Sequence, residues 1–109
     1  MIEIRRYVTR TGKDPIGEWL IGLKDIRAQA KIAIRIARVA TGNFGDSKRL
    51  TQGLYELRID FGPGYRVYYG MLGRTCVLLL CGGDKGKQSA DIERARTYWN
   101  DYQERTGTK

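Results

Sequence analysis

Between Leu54 and Cys81 the chain alternates apolar and polar residues through two short segments, turns on glycine, and then runs apolar without a break. A period of two is the signature of a strand with one buried face. The segments 54–60 and 65–71 read as strands joined by Gly62-Pro63-Gly64, residues that suit a tight turn. Gly73 separates them from a third strand, 75–81. Its core, Val77-Leu78-Leu79-Leu80, is apolar on both sides and so belongs in the interior of a sheet. The strand runs on into Gly82-Gly83-Asp84-Lys85-Gly86-Lys87, which reads as a glycine-rich turn carrying two lysines. The rest of the chain must supply what covers such a sheet.

Residues 2–8 read as one more strand. Asp14-Pro15 is a helix start, with Asp as cap and Pro at the first helical position, and Ile16, Trp19, Leu20 and Leu23 form the apolar side that follows. Asp25 caps a second helix running to about Ala40 and closed by Gly42. Its apolar face is Ile32, Ala33, Ile36, Val39 and Ala40. Arg27, Lys31, Arg35 and Arg38 fall within an arc of about 80° on another side. That stripe suits either a solvated helix face or a surface that tracks phosphates. Residues 41–51 read as a polar loop. Ser89 would cap a last helix with Asp91 and Glu93 in its first turn and Ile92, Ala95, Trp99 and Tyr102 on its apolar side. Trp99, Tyr98 and Tyr102 suit core packing or a docking surface.

With 109 residues the chain fits one domain, and roughly two-thirds of its unfolded surface can be buried without staples. Lys and Arg number 20 against 12 Asp and Glu, a net charge of +8 that favours a polyanionic or acidic partner. There is no histidine, which removes the usual general base, the Ser-His-Asp triad and any His-based metal site. Two cysteines without histidine do not make a typical zinc site. Cys76 and Cys81, five apart on one strand, should face opposite ways and stay reduced. No metal or other cofactor is expected. No apolar run is long enough to span a bilayer and the N-terminus carries no signal-peptide core, so a cytoplasmic protein is expected.

Alternation sorts the hairpin. Tyr55, Leu57, Ile59, Tyr65, Val67 and Tyr69 make an apolar face; Glu56, Arg58, Arg66 and Tyr68 gather on the other, expected to be open. Two arginines across a strand pair can fork onto a phosphate, a tyrosine beside them can stack on a base, and Lys85 and Lys87 arrive from the turn. Cross-strand Glu–Arg pairs that only decorate a sheet are the plainer alternative.

The order strand, two helices, three strands, helix, with Tyr55-Glu56-Leu57-Arg58, Gly64-Tyr65-Arg66-Val67-Tyr68-Tyr69 and Gly82-Gly83-Asp84-Lys85, resembles the RelE/HigB/ParE toxin superfamily, and most closely its phage Gp49-like addiction-module killer branch. The likeness runs from Trp19-Leu20 through Gly42-Asn43-Phe44-Gly45-Asp46 to Ala90-Asp91-Ile92. It implies one α+β domain over 1–109, with a mostly antiparallel four-stranded sheet packed on helices. It implies the toxin of a type II toxin–antitoxin system, held in a hetero-oligomer by a small helix-turn-helix antitoxin that covers its active face. RelE-like members cut mRNA on the ribosome: the 2′-hydroxyl attacks the adjacent phosphate, with basic residues rather than a metal. On this resemblance Arg58 falls on a catalytic lysine of RelE-type toxins, Arg66 on the phosphate-contacting arginine, and Lys85 on an arginine that assists the leaving group or the developing charge. Glu56 replaces another lysine and is the candidate base. The RelE tyrosine after the last strand aligns near Asp91, leaving Tyr98, Tyr102 or Tyr68 as substitutes. Tyr68, Lys87, Arg35 and Lys31 would contact RNA. ParE toxins share the fold but inhibit DNA gyrase, and a non-catalytic phage-derived binding module is the remaining alternative.

Overall fold

The computed structural model describes residues 1–107. Strand β1 (Glu3–Arg6) leads into helices α1 (Pro15–Gly22) and α2 (Ile26–Ala40). Four strands follow, β2 (Ser47–Thr51), β3 (Leu54–Ile59), β4 (Tyr65–Leu72) and β5 (Cys76–Asp84). A single 3₁₀ turn (Lys85–Lys87) then opens α3 (Gln88–Thr106). The sheet order is β1-β5-β4-β3-β2, with β1 parallel to β5 and the other pairings antiparallel. This is a small α+β fold with a five-stranded mixed sheet, not the expected four-stranded one. The added strand is β2, expected as part of a loop. Its sequence, Ser47-Lys48-Arg49-Leu50-Thr51, has no buried face of its own, and pairing with β3 makes it a strand at the sheet edge.

Both early helices begin where the sequence places them. The Asp14 carboxylate accepts from the Gly17 amide at 3.1 Å and that of Asp25 from the Arg27 amide at 2.9 Å, each satisfying an orphan donor of the first turn. The third helix differs: it starts at Gln88, directly out of the 3₁₀ turn, and Ser89 lies inside it rather than capping it.

The sheet is covered on both sides. Helices α1 and α2 pack Ile16, Ala28, Ile32 and Val39 against Leu57, Ile59, Tyr65, Val67, Tyr69, Val77 and Leu79. Helix α3 packs Ala95 and Trp99 against Leu54, Tyr68, Leu78, Leu80 and Cys81 on the other face, together with Tyr7. The expected burial of β5 on both faces is what this sandwich requires. Ala33, expected in the core, is exposed on the outside of α2.

Between Tyr68–Cys81 and Tyr69–Leu79 the pairing shifts by one residue, leaving Leu80 as a bulge. The bulge corrects the expected placement of the cysteines. By alternation Cys76 shares the α3 side with Leu78, and the extra residue returns Cys81 to that side as well. Both thiols are free and buried. Gly82 and Gly83 belong to β5 rather than to a turn. A Cβ on Gly82 would run into the Trp19 ring of α1, and one on Gly83 into the Asp91 carboxylate of α3. The two glycines thus let both layers close onto the end of the strand.

Candidate functional site

The α3 layer covers only one end of its sheet face. At the other end the β3–β4 hairpin places Arg58 opposite Arg66, and β5 places Gly83 beside Arg66. The hairpin turns on Gly62 and Gly64, both at positive φ (56° and 84°), which a glycine adopts at no steric cost. The Lys85 amide donates to the Gly64 carbonyl at 3.0 Å, and the Asp84 carboxylate accepts from the Gly86 amide at 2.9 Å. These two bonds fix the start of the 3₁₀ turn against the hairpin. The result is a cleft of about 330 Å³ lined by Asp46, Arg58, Ile59, Asp60, Gly62, Pro63, Gly64, Arg66 and Lys85.

Beneath the cleft lies Glu56, fully buried. Its Oε1 accepts from Arg58 Nε at 3.1 Å and lies 3.4 Å from Arg66 Nε. Its Oε2 accepts from Gln88 Nε2 of α3 at 2.9 Å. A buried carboxylate is costly unless it is paired and hydrogen-bonded, and here both oxygens are engaged. Glu56 therefore ties together two strands, the first turn of α3 and both guanidinium groups. The Arg58 side chain keeps 35% of its exposure and that of Arg66 13%, so both remain reachable from the cleft while their Nε sides face the carboxylate. On the outer side Arg58 Nη1 lies 4.0 Å from Asp46 Oδ1.

Farther under α3 the polar layer continues. Tyr68 is fully buried, and its hydroxyl is pushed up from its ordinary value by burial first and then by the charges of Glu56 and Asp91. It stays protonated. Asp91, also buried, pairs with Arg94. Arg66 Nε, the Tyr68 hydroxyl and Asp91 Oδ2 are buried without a hydrogen-bond partner among the described residues.

The structure thus brings Arg58, Arg66 and Lys85 to one cleft, with Glu56 under them. It does not present Glu56 and Tyr68 on an open face, because the amphipathic side of α3 lies over them. Tyr68, with no exposed ring, cannot stack on a base. Arg35 is also committed elsewhere. Its guanidinium donates to the Arg58 carbonyl and, at 2.8 Å, to the Phe44 carbonyl, so it braces the back of β3. Lys31 is exposed on α2, with its ammonium 5.9 Å from the centre of the Phe61 ring, and Lys87 is exposed at the start of α3; neither lines the cleft. Tyr98 stacks on Tyr7 and Tyr102 on Trp99, so both candidate substitutes for the missing tyrosine belong to the α3 packing layer.

No family model matches the chain. An uncharacterized protein of Haemophilus influenzae is 54% identical over 78 residues, a match covering 72% of this chain and 79% of that protein. The chain belongs to the family of that protein.

Two cleft neighbours, Gln88 and Asp46, were not evident from the sequence, whereas alternation along 54–60 already puts Asp60 on the face of Glu56 and Arg58. Gln88 reaches Glu56 only because α3 starts one residue before the expected cap. Asp46 enters as a flank of Arg58. The Asp46 carbonyl accepts from the Arg58 amide at 2.9 Å, an extension of the β2–β3 pairing that reading 41–51 as a loop conceals.

Proposed function

We propose that this chain is the toxin of a type II toxin–antitoxin pair and acts in the cytoplasm as a ribosome-dependent mRNA endonuclease. The observation that carries the reading is the convergence of Arg58, Arg66 and Lys85 on one cleft, with the buried Glu56 behind both guanidinium groups. The cleft brings these three cations together, with the carboxylates of Asp46 and Asp60 also in its wall.

The reaction the cleft suits is in-line displacement at phosphorus. The ribose 2′-oxygen bonds to the adjacent phosphorus as its proton passes to a solvent water, and the bond from phosphorus to the 5′-oxygen breaks as that oxygen takes up a proton from solvent. The products are a 2′,3′-cyclic phosphate and a 5′-hydroxyl. Arg58 and Arg66 would hold the non-bridging oxygens and stabilise the charge that builds on them. Lys85 would neutralise the departing 5′-oxygen. Preorganised cations of this kind are often the largest single contribution, and removing one donor costs about 10²–10³ in rate. With both oxygens committed, Glu56 has the part of a clamp for the guanidinium groups rather than of a proton acceptor.

The test is induced expression with primer extension on a reporter message, comparing wild type with Arg66→Ala. Growth arrest with new ends inside the translated region, lost in the variant, supports the endonuclease. Arrest with intact message and accumulating DNA damage would replace it with gyrase inhibition. No arrest would leave a non-catalytic binding module.

A further inference from the structure

The outer face of the α1–α2 hairpin carries the largest exposed apolar side chains among the described residues apart from Met1: Ile21 at 84% exposure, Ile26 at 78% and Ile34 at 50%. Ile26 and Ile34 lie on one side of α2, while Ile21 lines a separate depression on α1 with Arg6, Asp14, Gly17, Glu18 and Leu20. At about 100° per residue, Ile26, Ala30, Ala33 and Ala37 fall within an arc of about 60° on α2, with Ile34 at its edge. This stripe is separate from the core stripe of Ala28, Ile32 and Val39. Leu20, Ile26, Gln29, Ala30 and Ala33 line a shallow groove between the two helices. The groove and the exposed Ile26 and Ile34 beside it form an apolar face on the outer side of the helix pair.

Its surroundings state the chemistry of the occupant. Arg27, Lys31 and Arg38 form an exposed ridge along one side of the stripe, beyond Ile34, and Lys24 stands at the α1 end. A second copy would bring the same cations, and the same +8, against this ridge. Small residues along the groove floor leave room for the side chains of an incoming helix. A helix with an apolar seam fits the floor, and acidic residues on its flank answer the ridge. We propose that the outer α1–α2 face docks an acidic amphipathic helix of a partner protein, and that it does so without closing the Arg58–Arg66–Lys85 cleft. The second clause follows from topology: α1 and α2 cover the sheet face opposite to the one on which that cleft opens.

The test uses the full chain and a fluorescein-labelled designed helical peptide of 15 residues, leucine along one seam and glutamate on one flank, matching the length of α2. The expected result is saturable binding that weakens at about 0.5 M salt. It should fall at least about tenfold in Ala33→Glu. Because Ala33 is exposed, circular dichroism should show that variant folded as wild type. Arg27→Glu with Arg38→Glu should lose the acidic peptide and gain a peptide with lysine in place of glutamate. A short RNA oligonucleotide and the acidic peptide should bind together.

Equal binding of acidic and basic peptides, or full binding by Ala33→Glu, overturns the proposal. So does a wild-type dimer in light scattering that Ile26→Glu dissociates, or Ile26-dependent binding to anionic vesicles without binding of the peptide. Displacement of the peptide by RNA overturns its second clause.

Discussion

The fully buried Glu56 lies 3.4 Å from Arg66, and the same oxygen accepts a hydrogen bond from Arg58. Removing the charge leaves two guanidinium groups without their buried counter-ion. We expect Glu56→Gln to destabilise the chain by about 3 kcal/mol, measured by urea unfolding. Its cleavage rate should fall while the pH profile keeps its shape. A variant that loses the acidic limb of the profile, with stability unchanged, would make Glu56 a proton acceptor instead.

The Tyr68 hydroxyl is buried without a partner among the described residues, so it adds desolvation without a compensating bond. Tyr68→Phe should leave thermal stability equal or raise it by up to about 1 kcal/mol. It should also leave RNA binding intact, since the ring has no exposed face. A drop in affinity would mean that α3 moves to uncover it.

A third expectation concerns pH. Asp101 of α3 accepts from the Tyr7 hydroxyl at 2.6 Å and pairs with Arg10 and Arg105. These contacts, the Tyr7 bond first, hold its carboxyl below the ordinary carboxylate range. A folded-state value below the unfolded one stabilises the fold above about pH 4, and the contribution is lost as pH falls through the folded value. Asp101→Asn should therefore be less stable than wild type at pH 7, with the gap narrowing in acid. A gap independent of pH would show that the hydrogen bonds rather than the charge matter.

Burial pushes the Cys81 thiol up to about 12 and raises that of Cys76 as well. Neither should react with a maleimide in the native state at neutral pH, because the thiolate is the nucleophile. Labelling of Cys81 should track global unfolding in urea. Prompt labelling under native conditions would show that α3 detaches on its own.

What was legible in the sequence was mostly local. Asp14-Pro15 and Asp25 announce their helices because a cap acts within one turn. The hairpin is announced by its period and its glycines. The strand β2 was not legible, since an edge strand with polar residues on both sides is specified by its partner and not by its own pattern. The buried position of Glu56 and Tyr68 was harder still. Nothing in 54–69 says that a second helical layer lies over them. The hint stands elsewhere, in Leu78 and Leu80, which need a cover on the side that α3 supplies. The convergence of Arg58, Arg66 and Lys85 followed from strand order alone, because it needs only the hairpin register and the end of β5.

The measurement that tests the account most directly is the rate at which purified protein cleaves a ribosome-bound message, for wild type and for Arg66→Ala. The account predicts cleavage within the coding sequence that leaves a 2′,3′-cyclic phosphate, slowed by at least about 10² in the variant. Equal rates for the two proteins, or no cleavage by wild type, would contradict it.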